Sequence, residues 1–240
     1  MDNYMIGLII TLFFAIGGFV LIFSTYIFGV RKNKNSNNFI MFNTLLITYD
    51  WIFYILFNIW IATHSDTVDD FALFSVYSLL SVAISMILFN LLLAVIILRR
   101  EFKNNEQFRA WYQKHKVFCM FVVFCSPGGL NVLHVLNCKF NDMDIFDAKL
   151  SSTFEKKVIH ASVISLLIGD LPRSCFSTFT NVVFQPYGFA YYAIPSISCL
   201  LTLSVFASGL FYRIYESTIR DYEKPTVQEL IISKNQILEA

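Results

Sequence analysis

Charged side chains are scarce in this chain: Asp, Glu, Lys and Arg make up 15% of its 240 residues, whereas soluble domains carry about 25%. Glycine and proline are also few, at 9 and 5 residues, which excludes collagen-like and low-complexity disordered chains. The net charge of +1 provides no field that would attract nucleic acid, so no nucleic-acid partner is expected. Hydrophobic residues instead make up 56% of the chain, which predicts a protein surrounded by lipid.

The sequence also lacks the short motifs by which catalytic, nucleotide and metal sites are recognised. Its five cysteines include no C-x-x-C pair, which argues against a zinc site or a disulfide framework. No serine stands in a G-x-S-x-G context, and Gly128-Gly129 is not followed by the Lys and Ser or Thr of a phosphate loop. We therefore expect no catalytic residues, no metal and no cofactor, in a protein that is not an enzyme.

Long apolar runs divide the chain into membrane spans, each of which needs about 20 mainly apolar residues. The runs that meet this length are 5–30, 39–62, 71–98, 158–184 and 187–212. They predict an all-α, polytopic helical membrane protein, with residues 1–212 as one transmembrane domain and 213–240 as a cytoplasmic tail. The Thr226-x-x-Glu229 capping box predicts a short amphipathic helix over 226–239 of the tail.

A further apolar segment, 117–138, is interrupted at its midpoint by Pro127, Gly128 and Gly129. Such a break ends a helix in most settings, so the segment either crosses as a sixth transmembrane helix or turns back as a re-entrant hairpin. Lys and Arg concentrate in cytoplasmic loops, and only the hairpin puts all the loop bases on one side. The charge distribution therefore favours five transmembrane helices plus one re-entrant hairpin, with the N-terminus outside. A broken backbone is tolerated within a membrane only where it is buried in protein or lines a wet cavity, so this topology predicts such a cavity near Pro127.

The basic connection 99–116 carries Phe108, Trp111 and Tyr112 at helical spacing. This pattern predicts a short helix in the membrane interface, with its aromatic side chains toward lipid. The expected partners are membrane lipids and a cytoplasmic protein that contacts 99–116 and 226–239.

Three charged residues within apolar segments are the candidate functional residues. Asp50 lies near the middle of 39–62, where a charge costs at least about 2.5–3.5 kcal/mol. It is therefore either part of a polar pathway or ion site, or a protonated acid bonded to neighbouring backbone. Asp170 and Arg173 are close enough on a helix to neutralise each other, across a turn that Pro172 loosens. Alternatively, they contribute to a polar track across the membrane, in which Arg173 binds lipid phosphate. Arg173 is also a candidate partner for Asp50.

Several short motifs resemble a known family when they are read together. They are Tyr49-Asp50-Trp51, Phe108-Arg109-x-Trp111, Leu130-x-x-Leu133-x-x-Leu136-x-x-Lys139-Phe140 and Asp170-Leu171-Pro172. The set is similar to a group of uncharacterised multi-pass fungal proteins, which are distantly similar to the XK-related membrane proteins, a family that contains phospholipid scramblases. The likeness runs from about residue 50 to residue 184 and implies a helical membrane fold with partial-depth segments.

Two polar groups of that family's pattern are absent from this chain. Tyr54 stands where the second-span motif usually has another acid, and Gly169-Asp170-Leu171-Pro172-Arg173 stands where the later motif reads Glu-Asp-x-Pro-Gln. We interpret Asp50, Asp170 and Arg173 as a polar furrow that helps lipid head groups or ions across the bilayer. The alternatives are a receptor or sensor, in which these residues form an interhelical lock, and a structural subunit of a larger membrane complex. The expected location is the plasma membrane.

Overall fold

The computed structural model describes residues 3–33, 37–63, 70–184 and 189–222, and these residues form helices and no strand. The α-helices are α1 (Asn3–Lys32), α2 (Asn38–Thr63), α3 (Asp70–Asn104), α4 (Glu106–Lys114), α5 (Lys116–Cys125), α6 (Ser152–Ser165), α7 (Leu171–Phe184) and α8 (Phe189–Tyr222). A π-helical turn, Leu166–Asp170, joins α6 to α7. The predicted tail helix over 226–239 lies outside the described residues.

Within the described residues, five helical stretches are long and apolar enough to cross a membrane. They are Leu12–Lys32, Asn38–Leu56, Leu73–Asn104, Ser152–Val183 and Ser196–Ile214. The predicted class, an all-α polytopic membrane protein, is confirmed. The fourth stretch contains α6, the π turn and α7, and its 32 residues correspond to about 48 Å, longer than the bilayer core of about 30 Å.

The segment that begins with α5 turns back inside the bundle. The 10 residues of α5 rise about 15 Å, half of a bilayer core, and a 3-10 helix, Leu130–Asn137, follows the break at Pro127. Both ends of the segment lie together, since His115 Nε2 is 3.0 Å from Asp144 Oδ2 and Trp111 Nε1 donates to the Asp144 carbonyl at 2.7 Å. The hydrogen bond from His115 is the main cause that lowers the pKa of the Asp144 carboxyl.

Further hydrogen bonds connect the polar loops at the end of the bundle where His115 and Asp144 lie. Asn33 Nδ2, after the end of α1, donates to Asp142 Oδ1 at 2.6 Å. The Glu101 carboxylate, in the last turns of α3, accepts hydrogen bonds from the backbone N–H and the hydroxyl of Ser151 at 2.8 and 2.7 Å. The ends of α1 and α3 therefore lie at the same level as the start of α6.

The predicted interfacial helix is present as α4, but its aromatic face points into the protein. Asn105 caps α4 by accepting a hydrogen bond from the Phe108 N–H at 3.0 Å. Phe108 and Trp111 are only 1% and 5% exposed, and their rings stack with centroids 5.8 Å apart. The prediction that the aromatic side chains face lipid is wrong for these two residues, because they belong to the core that surrounds the hairpin.

The core is centred on the 3-10 helix after the break, where Leu130, Val132, Leu133 and Leu136 are completely buried. Around it, α7 packs against α3 and α8, α2 packs against α8, and α1 packs against α2. The interface of α2, α7 and α8 contains the buried charged residues Asp50, Arg173 and Arg213.

Candidate functional site: buried ion pairs between α2, α7 and α8

Asp50 and Arg173 form an ion pair inside the helix bundle. Arg173 Nη2 lies 2.7 Å from Asp50 Oδ2, and each side chain is about 1% exposed. The pair joins the middle of α2 to the first turn of α7. The expectation that Arg173 is the partner of Asp50 is confirmed, and both charges are compensated where an isolated charge would be expensive.

Three other side chains surround the pair. Thr202 Oγ1, on α8, accepts a hydrogen bond from Arg173 Nη2 at 3.3 Å and donates one to Asp50 Oδ1 at 3.1 Å. The guanidinium carbon of Arg173 lies 4.3 Å from the ring centroid of Tyr54 and 5.6 Å from that of Trp51. These distances are within the range of cation–π attraction, about 6 Å, so the cluster joins three helices.

Tyr54 contacts both the Arg173 guanidinium and helix α3. Its ring face stabilises the Arg173 cation without adding a charge, while its hydroxyl donates to the Leu79 carbonyl of α3. The rings of Tyr54 and Trp51 therefore add cation–π attraction to the Arg173–Asp50 ion pair.

The π turn accommodates Pro172 and separates Asp170 from Arg173. Proline has no N–H and its ring crowds the preceding helical turn, which the wider π turn relieves. Asp170 Oδ2, at the end of the π turn, lies 3.6 Å from Arg213 Nη2 of α8. The alternative in which Asp170 and Arg173 pair directly with each other is not formed: in the described part of the chain, Asp170 pairs with Arg213 of α8 and Arg173 pairs with Asp50 of α2.

Arg213 is the charged site residue that the sequence analysis missed. It is 8% exposed, and it donates to the Ser162 hydroxyl from Nε at 3.2 Å and to the Ser162 carbonyl from Nη2 at 2.7 Å. A Cβ atom at Gly209 would lie 3.0 Å from Arg213 Nη1, so the glycine leaves room for the guanidinium. Arg213 is the first charge after the uncharged run 174–212, a position that the charge count assigned to the tail.

Polar contacts continue along α8 before and between these pairs. Ser196 Oγ donates to Asn181 Oδ1 of α7 at 2.9 Å, and Ser208 Oγ donates to Asn43 Oδ1 of α2 at 2.9 Å. From Ser196 to Arg213, α8 rises about 26 Å, most of the bilayer core of about 30 Å. We call these contacts, together with the two ion pairs, the polar column.

The predicted helix-break residues Pro127, Gly128 and Gly129 lie outside the polar column, in the hairpin, whereas the predicted hinge Pro172 lies between Asp170 and Arg173 of the column. The Pro127 carbonyl accepts a hydrogen bond from Asn90 Nδ2 of α3 at 3.0 Å, and Pro127 and Gly128 are buried. A Cβ atom at Gly128 would lie 3.0 Å from Ile47 Cγ2, which shows how closely the break packs on α2. Protein therefore covers the broken backbone at Pro127 and Gly128, so burial meets the requirement for such a segment in place of the cavity that we predicted near Pro127.

The three residues of the predicted polar furrow belong to two separate ion pairs. Asp50 and Arg173 are sealed between helices, and Asp170 belongs to a second pair with Arg213. No family model, curated protein or solved structure matches this chain. The function is therefore argued from the arrangement of the chain's own residues.

Proposed function

We propose that this multi-pass membrane protein provides a gated polar path for lipid head groups or ions, and that Asp50, Arg173 and Thr202 form its closed gate. The observation that supports this proposal is the polar column, which extends over most of the thickness of the bundle. Ionisable residues inside a membrane are expensive and are found mainly along substrate or ion pathways. A bundle with a purely structural role can achieve the same packing with small and apolar residues.

The helix that carries the gate contains a built-in point of bending. Arg173 lies directly after the π turn and Pro172, and such features are where membrane helices bend. Movement of α7 away from α2 would separate Arg173 from Asp50 and turn both toward the path. The guanidinium then provides a site for phosphate and the carboxylate provides one for a cation. A head group that carries both charges would meet a matching group of each sign.

The test is transport by the purified full chain in liposomes, measured as dithionite quenching of fluorescent phosphatidylcholine and, in parallel, as potassium efflux. Asp50→Asn weakens the closed gate, so we expect the rate to rise about tenfold or more, since 1.4 kcal/mol corresponds to a factor of ten. Asp70→Asn, the same change at an exposed position at the start of α3, should leave the rate unchanged. Rates equal to those of protein-free liposomes for the wild type and for Asp50→Asn would reject a path for lipid or potassium.

A receptor or sensor is the second candidate, and it is favoured by the complete burial of the ion pair that joins α2, α7 and α8. In this case the cluster is an interhelical lock, and the basic connection 99–116 contacts a cytoplasmic protein. No variant would then transport, Asp50→Asn would lower thermal stability, and Asp50→Asn combined with Arg173→Gln would restore part of it. A structural subunit would instead be unstable when it is purified without its partner.

A further inference from the structure

A cavity of about 540 Å³ lies between α3, α4 and α5 and shares no residue with the polar column. This volume is typical of ligand sites, which range over about 300–1,000 Å³. The deeper part of its wall is formed by buried side chains, among them Leu98, Phe108 and Cys119. The wall is almost entirely apolar, so it suits a hydrocarbon ligand and excludes a hydrated one.

The cavity opens onto the outer surface of the bundle. Val95 of α3 and Met120 and Phe124 of α5 line it and are 46%, 58% and 77% exposed. Val95 belongs to a stretch, Leu73–Asn104, that is long and apolar enough to cross a membrane. Membrane lipid can therefore enter the cavity from the side without passing through water.

Arg99 is the one charged residue that lines the cavity, and it is exposed. It is the first charge after the uncharged run 71–98, so it marks the level at which lipid head groups begin. From Leu91, another lining residue, to Arg99 the helix rises about 12 Å. An acyl chain that lies along this wall would bring its phosphate to Arg99. Among the described residues, Arg99 takes part in no ion pair.

We propose that this cavity binds one acyl chain of an anionic glycerophospholipid, whose phosphate pairs with Arg99. Charge complementarity selects the anionic class, because Arg99 provides a positive field at the level of the head group and no acidic side chain among the lining residues receives the cationic group of a zwitterionic lipid. Arg109 reinforces this field, since its guanidinium lies over the ring of Phe102, a lining residue, at 5.7 Å. The lipid class matches the cytoplasmic leaflet, which carries a negative surface potential.

The experiment is native mass spectrometry of the full chain, purified in detergent and stripped of lipid. The probes are dioleoylphosphatidic acid, dioleoylphosphatidylcholine and oleate at equal concentrations. We expect one phosphatidic acid per chain, bound about fivefold more tightly than phosphatidylcholine, since one basic residue near a membrane surface contributes about that factor. Equal binding of the two phospholipids, or oleate binding as tight as that of phosphatidic acid, would overturn the assignment.

Two pairs of variants locate the site. Arg99→Gln should abolish the preference for phosphatidic acid, whereas Arg100→Gln should keep it, because Arg100 lines a different cavity. Val95→Trp should fill the apolar cavity and weaken the binding of both phospholipids. Leu92→Trp, at a residue that is 61% exposed and does not line the cavity, should not weaken it.

Two results would overturn the proposal. Equal losses of the preference in Arg99→Gln and Arg100→Gln would show a diffuse basic surface, and wild-type binding by Val95→Trp would show that the cavity is not the site. Thermal stability, measured for each variant, separates lost binding from lost folding, and the Gln pair still tests the proposal if Val95→Trp does not fold.

Discussion

Asp170 Oδ2 and Arg213 Nη2 lie 3.6 Å apart and join the π turn before α7 to the C-terminal third of α8. One helical turn further along, Arg173 makes its ion pair in another direction, with Asp50 of α2. The start of α7 is therefore held from two sides by charges of opposite sign. This arrangement stabilises the helix at the place where proline weakens it, and it makes the two pairs separable by mutation.

We predict that Asp170 is energetically coupled to Arg213 more strongly than to Arg173. Asp170→Asn should lower the free energy of unfolding by about 1–3 kcal/mol, because it weakens a buried contact to a charged group. In double-mutant cycles measured by SDS-induced unfolding in mixed micelles, the coupling with Arg213→Gln should exceed the coupling with Arg173→Gln. The opposite order would mean that Asp170 and Arg173 neutralise each other locally after all.

The hydroxyl of Thr202 should contribute to stability beyond its packing. Thr202→Val keeps the shape of the side chain but removes the group that bridges Arg173 and Asp50, so we expect a loss of about 1–3 kcal/mol. Thr25→Val is the matched control, since the Thr25 hydroxyl donates to the Leu21 carbonyl of its own helix, α1, at 2.9 Å. Both variants can be compared by thermal unfolding in detergent, and equal losses would show that the bridge adds nothing.

The folding back of 116–137 predicts that Asp144 lies on the cytoplasmic side. In a cysteine-free background, single cysteines replace Asp144 and Asp70, which are both exposed. Asp70 is the first residue of α3, whereas Asp144 lies beside His115, near the other end of that helix and of the bundle. An impermeant maleimide applied to intact cells should label the cysteine at Asp70 but not the one at Asp144. A cysteine in place of Glu229, in the tail, should also be protected. Labelling at both 144 and 229 from outside would show that the segment crosses the membrane.

Gly128 should tolerate a side chain less well than its neighbour Gly129. A methyl group at Gly128 would press on Ile47 and on the Cβ of Trp51 at 3.0 and 3.2 Å, whereas one at Gly129 would approach Ile47 only to 3.5 Å. Gly128→Ala should therefore destabilise the protein by about 1–2 kcal/mol more than Gly129→Ala, as expected when a closely packed interface is overfilled. Thermal unfolding of the two variants provides the comparison, and equal stability would indicate that the hairpin can shift away from α2.

Local sequence patterns predicted the elements of the fold well. The run lengths identified the five stretches that can cross a membrane, because a span needs a minimum number of apolar residues whatever surrounds it. Pro127 and the two glycines that follow marked the break, since they act on the backbone of their own segment. The aromatic spacing identified α4, but it could not show which surface the aromatic face would contact.

Sequence by itself determined that the chain is a helical membrane protein, where its spans lie and that Asp50, Asp170 and Arg173 lie within them. Only the tertiary structure decided how those charges pair: Asp50 with Arg173, and Asp170 with Arg213. The reason is geometric. Hydrophobicity and spacing define a helix and its length, but the partner of a buried charge depends on the rotation and neighbours of helices far apart in the chain, which no local pattern records.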